Sequence, residues 1–332
     1  MLNKILITGG AGYIGSKISY DLTDLGYKVF IIDNLSTGNK NLINKKTKFY
    51  LGDILDIDFV NYIIKKNSIK NIIHLAACLD INESENNPSK YYLNNVEGTN
   101  ILLKAACNND LKNFIFSSTC AVYGELKNNI KVKENTRCKP KSYYGHSKLL
   151  AENLIKKYSD QYNFKYGILR YFNVAGADEN LRTGCINRNG QLFKNLAFNI
   201  VNKNKPIINV YGKSYKTFDG TCIRDYIHVS DLSKIHIACL KKITKIKSSV
   251  ILNCGYGKGY SVLEIIRIFI KISNKIIKIK YLKKRKGDVS AIINNNILFN
   301  NFFKKDKINL YKSIDKMVSS SLEWEKKIIS FK

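Results

Sequence analysis

Residues 4–33 constrain the fold of this chain more than any other stretch. The apolar run Lys4-Ile5-Leu6-Ile7-Thr8 passes directly into Gly9-Gly10-Ala11-Gly12-Tyr13-Ile14-Gly15. Ile14, Ile18, Leu22 and Leu25 then recur at helical spacing until Gly26, where a helix can stop. A second apolar run, Val29-Phe30-Ile31-Ile32, ends in Asp33. Strand, glycine turn, helix, strand and acid in this order specify a parallel βαβ unit. Glycines in the turn let a pyrophosphate approach the main chain and let the helix pack closely on the strand. The helix N-terminus offers unpaired N–H groups to the phosphates. Asp33, 18 residues beyond Gly15, can accept hydrogen bonds from an adenosine ribose and would repel a 2′-phosphate. The stretch therefore predicts NAD as cofactor, rather than NADP.

The alternation continues downstream. Phe49-Tyr50-Leu51 precedes Gly52-Asp53-Ile54, which places Asp53 at a strand C-terminal end, either as a ligand group or as a helix N-cap. Ile72-Ile73-His74-Leu75-Ala76-Ala77 and Phe114-Ile115-Phe116-Ser117-Ser118-Thr119 read as further strands. Between them, Tyr92, Val96, Thr99, Leu103 and Ala106 fit one helical stripe, with Asn94 off it. The fold expected is α/β: a Rossmann-type doubly wound parallel sheet over residues 1–173, followed by a smaller α/β lobe over 174–332. Segments near 220–245 are expected to return to the first domain. The polar loop from Asp178 to Gly190 marks the start of the second lobe. The tail reads as a closing amphipathic helix that buries Ile314, Met317, Val318, Leu322 and Trp324.

Chemistry enters at Tyr143-Tyr144-Gly145-His146-Ser147-Lys148, just after the strand ending in Thr119. Tyr144 and Lys148 share a helix face. A unit charge roughly 4 Å away, at an effective dielectric of about 20, is worth about 4 kcal/mol, or about three pKa units. A lysine and a nicotinamide cation together can thus bring a phenol toward the neutral range where a general base works best. Spacing alone is weak evidence, since Tyr62 and Lys66 repeat it with no catalytic context. Thr119 is placed to hydrogen-bond the same substrate hydroxyl.

Composition narrows the remaining classes. The net charge is +29, yet only seven of the 55 basic residues are arginine, and lysine is spread along the whole chain. That is a compositional bias rather than a nucleic-acid surface. The eight cysteines contain no C-x-x-C pair, so reduced thiols are expected and no metal site. No apolar stretch is long enough to span a bilayer, and no secretory signal is visible, which makes the cytoplasm the expected location. Because arginine is scarce, Arg224 and Arg285 stand out as candidates for forked phosphate recognition.

Together these motifs resemble the extended short-chain dehydrogenase/reductase family, and within it the NAD-dependent nucleotide-sugar 4-epimerases. The resemblance runs from Lys4 to about Ile293. It includes Asp33-Asn34-Leu35, Tyr91-Tyr92-Leu93-Asn94-Asn95-Val96-Glu97-Gly98-Thr99, Arg170-Tyr171-Phe172-Asn173 and Asp219-Gly220-Thr221-Cys222-Ile223-Arg224-Asp225-Tyr226-Ile227-His228-Val229. It implies that Gly9, Gly12, Tyr13, Ile14, Gly15, Asp33, Asn34, Asp53, Ile54, Asn94, Tyr144, Lys148 and Phe172 hold NAD. It further implies that Thr119, Asn173, Tyr211, Arg224, Arg285 and Asp288 hold a UDP-sugar. By the same resemblance Tyr144 takes the proton from the sugar O4 while hydride leaves C4, and the 4-keto sugar turns over and is reduced on its other face. UDP-glucose and UDP-galactose are the implied pair, and a homodimer the implied assembly. Sister dehydratases and decarboxylases typically carry a carboxylate just after the threonine, where this chain has Cys120-Ala121. Leu79 stands where some members have a lysine, and Ile292 where some have a tyrosine that limits room for an N-acetyl group. A non-catalytic NAD-binding protein is the alternative from another class, which intact Tyr144, Lys148 and Thr119 argue against.

Overall fold

The computed structural model describes residues 3–126, 131–188, 191–285, 288–306 and 308–329. The chain divides into two compact units. The first comprises residues 1–122, 142–170 and 233–252, and the second residues 123–141, 171–232 and 253–332. Strands of the first half are β1 (Lys4–Thr8), β2 (Lys28–Asp33), β3 (Lys48–Leu51), β4 (Asn71–His74), β5 (Asn113–Thr119) and β6 (Lys165–Tyr171). They are followed by β7 (Asn173–Ala175), β8 (Ile207–Tyr211), β9 (Ile223–His228), β10 (Val250–Cys254), β11 (Gly259–Ser261), β12 (Lys278–Leu282) and β13 (Ala291–Ile292).

The main sheet has seven strands in the order β10-β6-β5-β4-β1-β2-β3. The pairs β1–β2, β2–β3, β1–β4 and β4–β5 are all parallel. The order reverses at β1, between β2 on one side and β4 on the other, so the loops after these strands form the switch point of an open α/β sheet. Every residue of β5 is buried, as expected of a central parallel strand covered on both faces. Leu6, Ile32, Ile72, Phe114, Phe116 and Ile168 lie in the apolar core that joins the sheet to its helices.

The second unit carries β9 as the hub of a smaller sheet, with β11 antiparallel, and β13 and β7 parallel, to it. A separate two-stranded parallel ribbon pairs β8 with β12. The helix Ile314–Ile329 buries Met317, Val318, Leu322 and Trp324, with Ile314 packed at the edge of the same core.

Four local expectations need correction. Residues 123–141 group with the second unit rather than the first. The Tyr123 hydroxyl donates to Asn253 Oδ1 at 2.7 Å, Val132 bridges Asn294, and the Lys131 ammonium donates to the Gly257 carbonyl. Leu25 does not continue the first helical stripe: the helix Tyr13–Asp24 ends before it, and it is 56% exposed. The helix after β3 is capped by Asp56, whose carboxylate accepts the Phe59 N–H, so Asp53 is not its N-cap. Tyr92–Glu97 winds as a π-helical turn, which changes the register of the stripe read from the sequence. Tyr91, Asn95, Gly98 and Thr99 are the buried residues there, in place of Tyr92 and Val96.

Candidate active site

The glycine turn after β1 is shaped by close approach. Gly9 has φ +73°, and a Cβ on it would lie 2.7 Å from the Ala76 nitrogen. A Cβ on Gly15 would lie 2.3 Å from the Gly9 carbonyl oxygen, so only glycine lets the helix seat on the turn. Gly12 differs, since a Cβ there would meet only the Gly9 oxygen at 3.3 Å. Glycine at that position leaves the main chain uncovered. Gly12 is also the N-cap of the helix Tyr13–Asp24, which has neither a side-chain cap nor an acidic residue in its first turn. A helix N-terminus beside an uncovered main chain suits an anionic pyrophosphate. The residues present fit a dinucleotide.

Asp33 closes the other side of this turn. Its carboxylate accepts the Ala11 N–H at 2.9 Å and the Leu35 N–H at 2.8 Å. Burial raises its pKa, and the two main-chain hydrogen bonds oppose that rise. Asn34 Nδ2 donates to Asp53 Oδ2 at 2.8 Å, while Asp53 Oδ1 accepts the Leu55 N–H, so Asn34, Asp53 and the loop before Ile54 form one connected group. Tyr13 and Ile14 open the helix after the turn, and both are partly exposed.

The catalytic candidates lie at the end of β5 and on the helix Tyr143–Tyr162. Ser142 caps that helix, its side chain accepting the Gly145 N–H. Burial dominates both ionisable groups. It pushes the Tyr144 phenol up to about 12, against a hydrogen bond with Thr119 that lowers it. It pulls Lys148 down to about 7, against the attraction of Glu152. In the chain without ligand, then, Tyr144 is a neutral phenol rather than a base poised near neutrality. Thr119 is held in turn, its Oγ1 accepting the Ala121 N–H at 3.1 Å.

Further residues fix this helix, and the motif reading had not singled them out. Glu152, one turn beyond Lys148, is fully buried and receives Arg170 at Nε (2.9 Å) and Nη2 (2.7 Å), as well as the Ser118 hydroxyl at 2.5 Å. Breaking such a buried pair typically costs about 3–5 kcal/mol. On the other flank the Thr99 hydroxyl donates to the Asn95 carbonyl at 2.7 Å, so its oxygen accepts from His74 Nε2–H at 2.9 Å. His74 Nδ1 then accepts from Thr8 at 2.6 Å. Burial, with Lys148 nearby, pulls His74 down to about 3, and the ring is neutral. The Asn95 side chain donates to the Ser147 hydroxyl, which donates to the Tyr144 carbonyl. Its neighbour Asn94 donates to Asn95 Oδ1. The visible signal for this network was a set of polar residues inside apolar runs, with His74 after Ile72-Ile73 the plainest case.

The substrate candidates fall in the second unit, as does the cofactor candidate Phe172. Phe172 is buried, and its N–H donates to the Cys254 carbonyl. Asn173 opens β7 and is exposed. The Arg285 guanidinium lies 4.9 Å from the centre of the Tyr211 ring and donates through Nε to Asp288 at 2.9 Å. Arg224 Nη2 is 3.8 Å from the same carboxylate. Tyr211, Arg224, Arg285 and Asp288 therefore make one cluster of two cations, one anion and an exposed aromatic face. Ile292 is buried on β13, with the Arg224 position as its strand partner. Leu79, in the first unit, is 58% exposed.

Comparison with known proteins identifies the family and the fold. Residues 5–255 match the NAD dependent epimerase/dehydratase family. A UDP-glucose 4-epimerase of Azospirillum brasilense is 33% identical over 332 residues, covering 98% of this chain and 92% of its own. The UDP-glucose 4-epimerase of Brucella ovis, solved in complex with NAD, aligns with a TM-score of 0.90 at 33% identity, over 97% of this chain and 98% of that one. The UDP-Glc/GlcNAc 4-epimerase of Campylobacter jejuni aligns with a TM-score of 0.82 at 36% identity, over 98% and 99%. This chain belongs to the NAD-dependent epimerase/dehydratase family.

Proposed function

We propose that the protein interconverts UDP-glucose and UDP-galactose at C4 of the hexose. The observation that carries this reading is a half-buried tyrosine and a buried lysine, one turn apart, beside a threonine hydroxyl and with no catalytic carboxylate at Cys120-Ala121. Gly9, Gly12, Tyr13, Ile14, Gly15, Asp33, Asn34, Asp53, Ile54, Asn94, Tyr144, Lys148 and Phe172 would hold NAD. When bound, NAD supplies a hydride acceptor and donor and, in its oxidised form, a second positive charge. Tyr144 removes the proton from the sugar O4 and later returns it. Lys148 stabilises the phenolate that forms, and Thr119 hydrogen-bonds the same oxygen. Asn173, Tyr211, Arg224, Arg285 and Asp288 grip the UDP portion. For Arg285 this means trading part of its bond to Asp288 for phosphate.

Several features support the finer points. Among the described residues no helix is long and apolar enough to cross a membrane, and all eight cysteines are free thiols, which favours the cytoplasm. A homodimer packing on the helices that bear Asn94 and Tyr144 is the assembly proposed; Leu93 (55% exposed) and Tyr162 (43% exposed) present apolar surface on them. Purified protein should convert UDP-galactose to UDP-glucose without added NAD and release NAD on denaturation. Absence of turnover in NAD-loaded protein would remove the reading. Ile292 in place of a bulkier side chain predicts turnover of UDP-N-acetylglucosamine as well. Ile292→Tyr should lower the rate on the acetylated sugar relative to the plain one, and an unchanged ratio would show that this side chain does not set the room.

A further inference from the structure

The surroundings of Lys148 pose a physical problem. Its side chain is 2% exposed, and among the described residues its ammonium meets no hydrogen-bond or ion-pair partner. The carboxylate one turn away, Glu152, makes its hydrogen bonds to Arg170 and Ser118 and none to the ammonium, which it attracts only through space. What the ammonium does meet is the Phe116 ring of β5, whose centre lies 4.2 Å from Nζ. Phe116 is itself fully buried, and the His74 ring supports it at 5.6 Å between centres. A cation over a desolvated aromatic face is held by the ring quadrupole, and the attraction grows as water is excluded.

We propose that the face of Phe116 serves as the counter-charge that keeps the Lys148 ammonium protonated and aimed, making Phe116 a positioning residue for proton transfer. The proposal rests on reading Tyr144 and Lys148 as the proton-transfer pair. Glu152 attracts the ammonium through space without bonding it, and among the described residues no other charged group faces it. Tyr144 on the same helix is neutral in the free chain, and β5 carries no ionisable residue. From β4, His74 is locked as a neutral imidazole by Thr8 and Thr99, so it adds no competing cation. From the short helices packed on this face, the Tyr91 hydroxyl donates to the Asp80 carbonyl, Glu83 pairs with Lys90 and Glu85 accepts the Tyr143 N–H. On the turn Tyr92–Glu97, Glu97 is exposed. Burial pulls Lys148 toward neutrality; Glu152 opposes that pull from one turn away, and the ring opposes it at contact distance.

The test weakens the ring electrostatics without changing its shape. Phe116 is replaced by difluoro- and then pentafluorophenylalanine in the full chain, and the Lys148 ammonium is titrated by NMR of ¹³C-labelled lysine, its signal assigned by its loss in Lys148→Met. The Lys148 midpoint should fall in steps with fluorination, by about one pH unit overall. Phe116→Tyr should keep the wild-type midpoint, and Phe116→Leu, which removes the ring face without inverting its quadrupole, should fall between the wild-type and pentafluoro values. The pH at which the epimerase rate rises should move upward in the same steps, because a lysine that loses its proton earlier no longer supports the phenolate. A Lys148 midpoint indifferent to fluorination would overturn the proposal, whatever the activity. A stepwise shift in a protein that turns over no UDP-hexose would sustain the contact and remove the epimerase reading instead.

Discussion

The chain contains the spacing Tyr-x-x-x-Lys on two helices, and the two copies behave in opposite ways. Tyr62 and Lys66 lie on the helix Ile57–Asn67 at the surface, where the lysine donates straight to the phenol oxygen at 2.5 Å and its ammonium sits 4.8 Å from the ring centre. Tyr62 is 53% exposed, and the lysine pKa is raised by the bond it makes to Tyr62. Tyr144 and Lys148 share the spacing but are desolvated, the tyrosine half-buried and the lysine buried; they are not bonded to each other, and desolvation moves the phenol up and the ammonium down. The exposed pair is satisfied. The desolvated pair is held away from its charged forms and is therefore responsive to whatever ligand supplies opposite charge. Spacing selects a helix face; desolvation, together with the partners that neighbouring strands bring, makes a reactive group.

The largest expected effect that would break this contrast is on turnover. Tyr144→Phe should lower the epimerase kcat, counted per bound NAD, by roughly 10²–10⁴-fold, whereas Tyr62→Phe should leave kcat as it was. Equal losses from the two substitutions would erase the distinction. A second effect is on stability. The folded Lys148 midpoint near 7 lies below the unfolded value of about 10.4, so between these the unfolded chain binds a proton that the native one does not. Stability from this group therefore rises with pH across that window. Lys148→Met should stabilise the protein at pH 7 by on the order of a few kcal/mol in urea unfolding, and the gain should fade toward pH 10. Lys66→Met should show no such slope. The smallest effect concerns the neutral neighbour. His74, with a folded midpoint near 3, contributes stability that is complete above about pH 6.5 and is lost as pH falls through that range. His74→Gln should flatten the acid side of the stability profile between about pH 6.5 and pH 4, and a profile unchanged in slope would mean that the ring is charged in the native state.

Much of the first unit could be read from the sequence because its signals are local. The glycines from Gly9 to Gly15, the acid at Asp33 and the strand ending in Thr119 each announce their geometry within a few residues. The supporting shell could not be read in this way. Glu152 meets Arg170 eighteen positions later, and His74 joins Thr8 to Thr99 across three elements, so only the folded sheet brings them together. Asp288 was expected to touch substrate directly, and the structure gives it first to Arg285 and Arg224. The transfer of residues 123–141 to the second unit was hidden for a similar reason, because its anchors Asn253 and Asn294 lie more than a hundred positions away.

The π-helical turn at Tyr92–Glu97 has one more consequence. It holds one residue more than an α-helix would use over the same rise, and that surplus brings the Asn95 amide to Cys78 and Ser147. The segment is thus sensitive to its length before its composition. Removing one residue would let the turn relax to an ordinary α-helix and rotate everything on one side of the deletion by about 100°. Asn95 would then leave Ser147 on the Tyr144 helix, although every remaining side chain was still present.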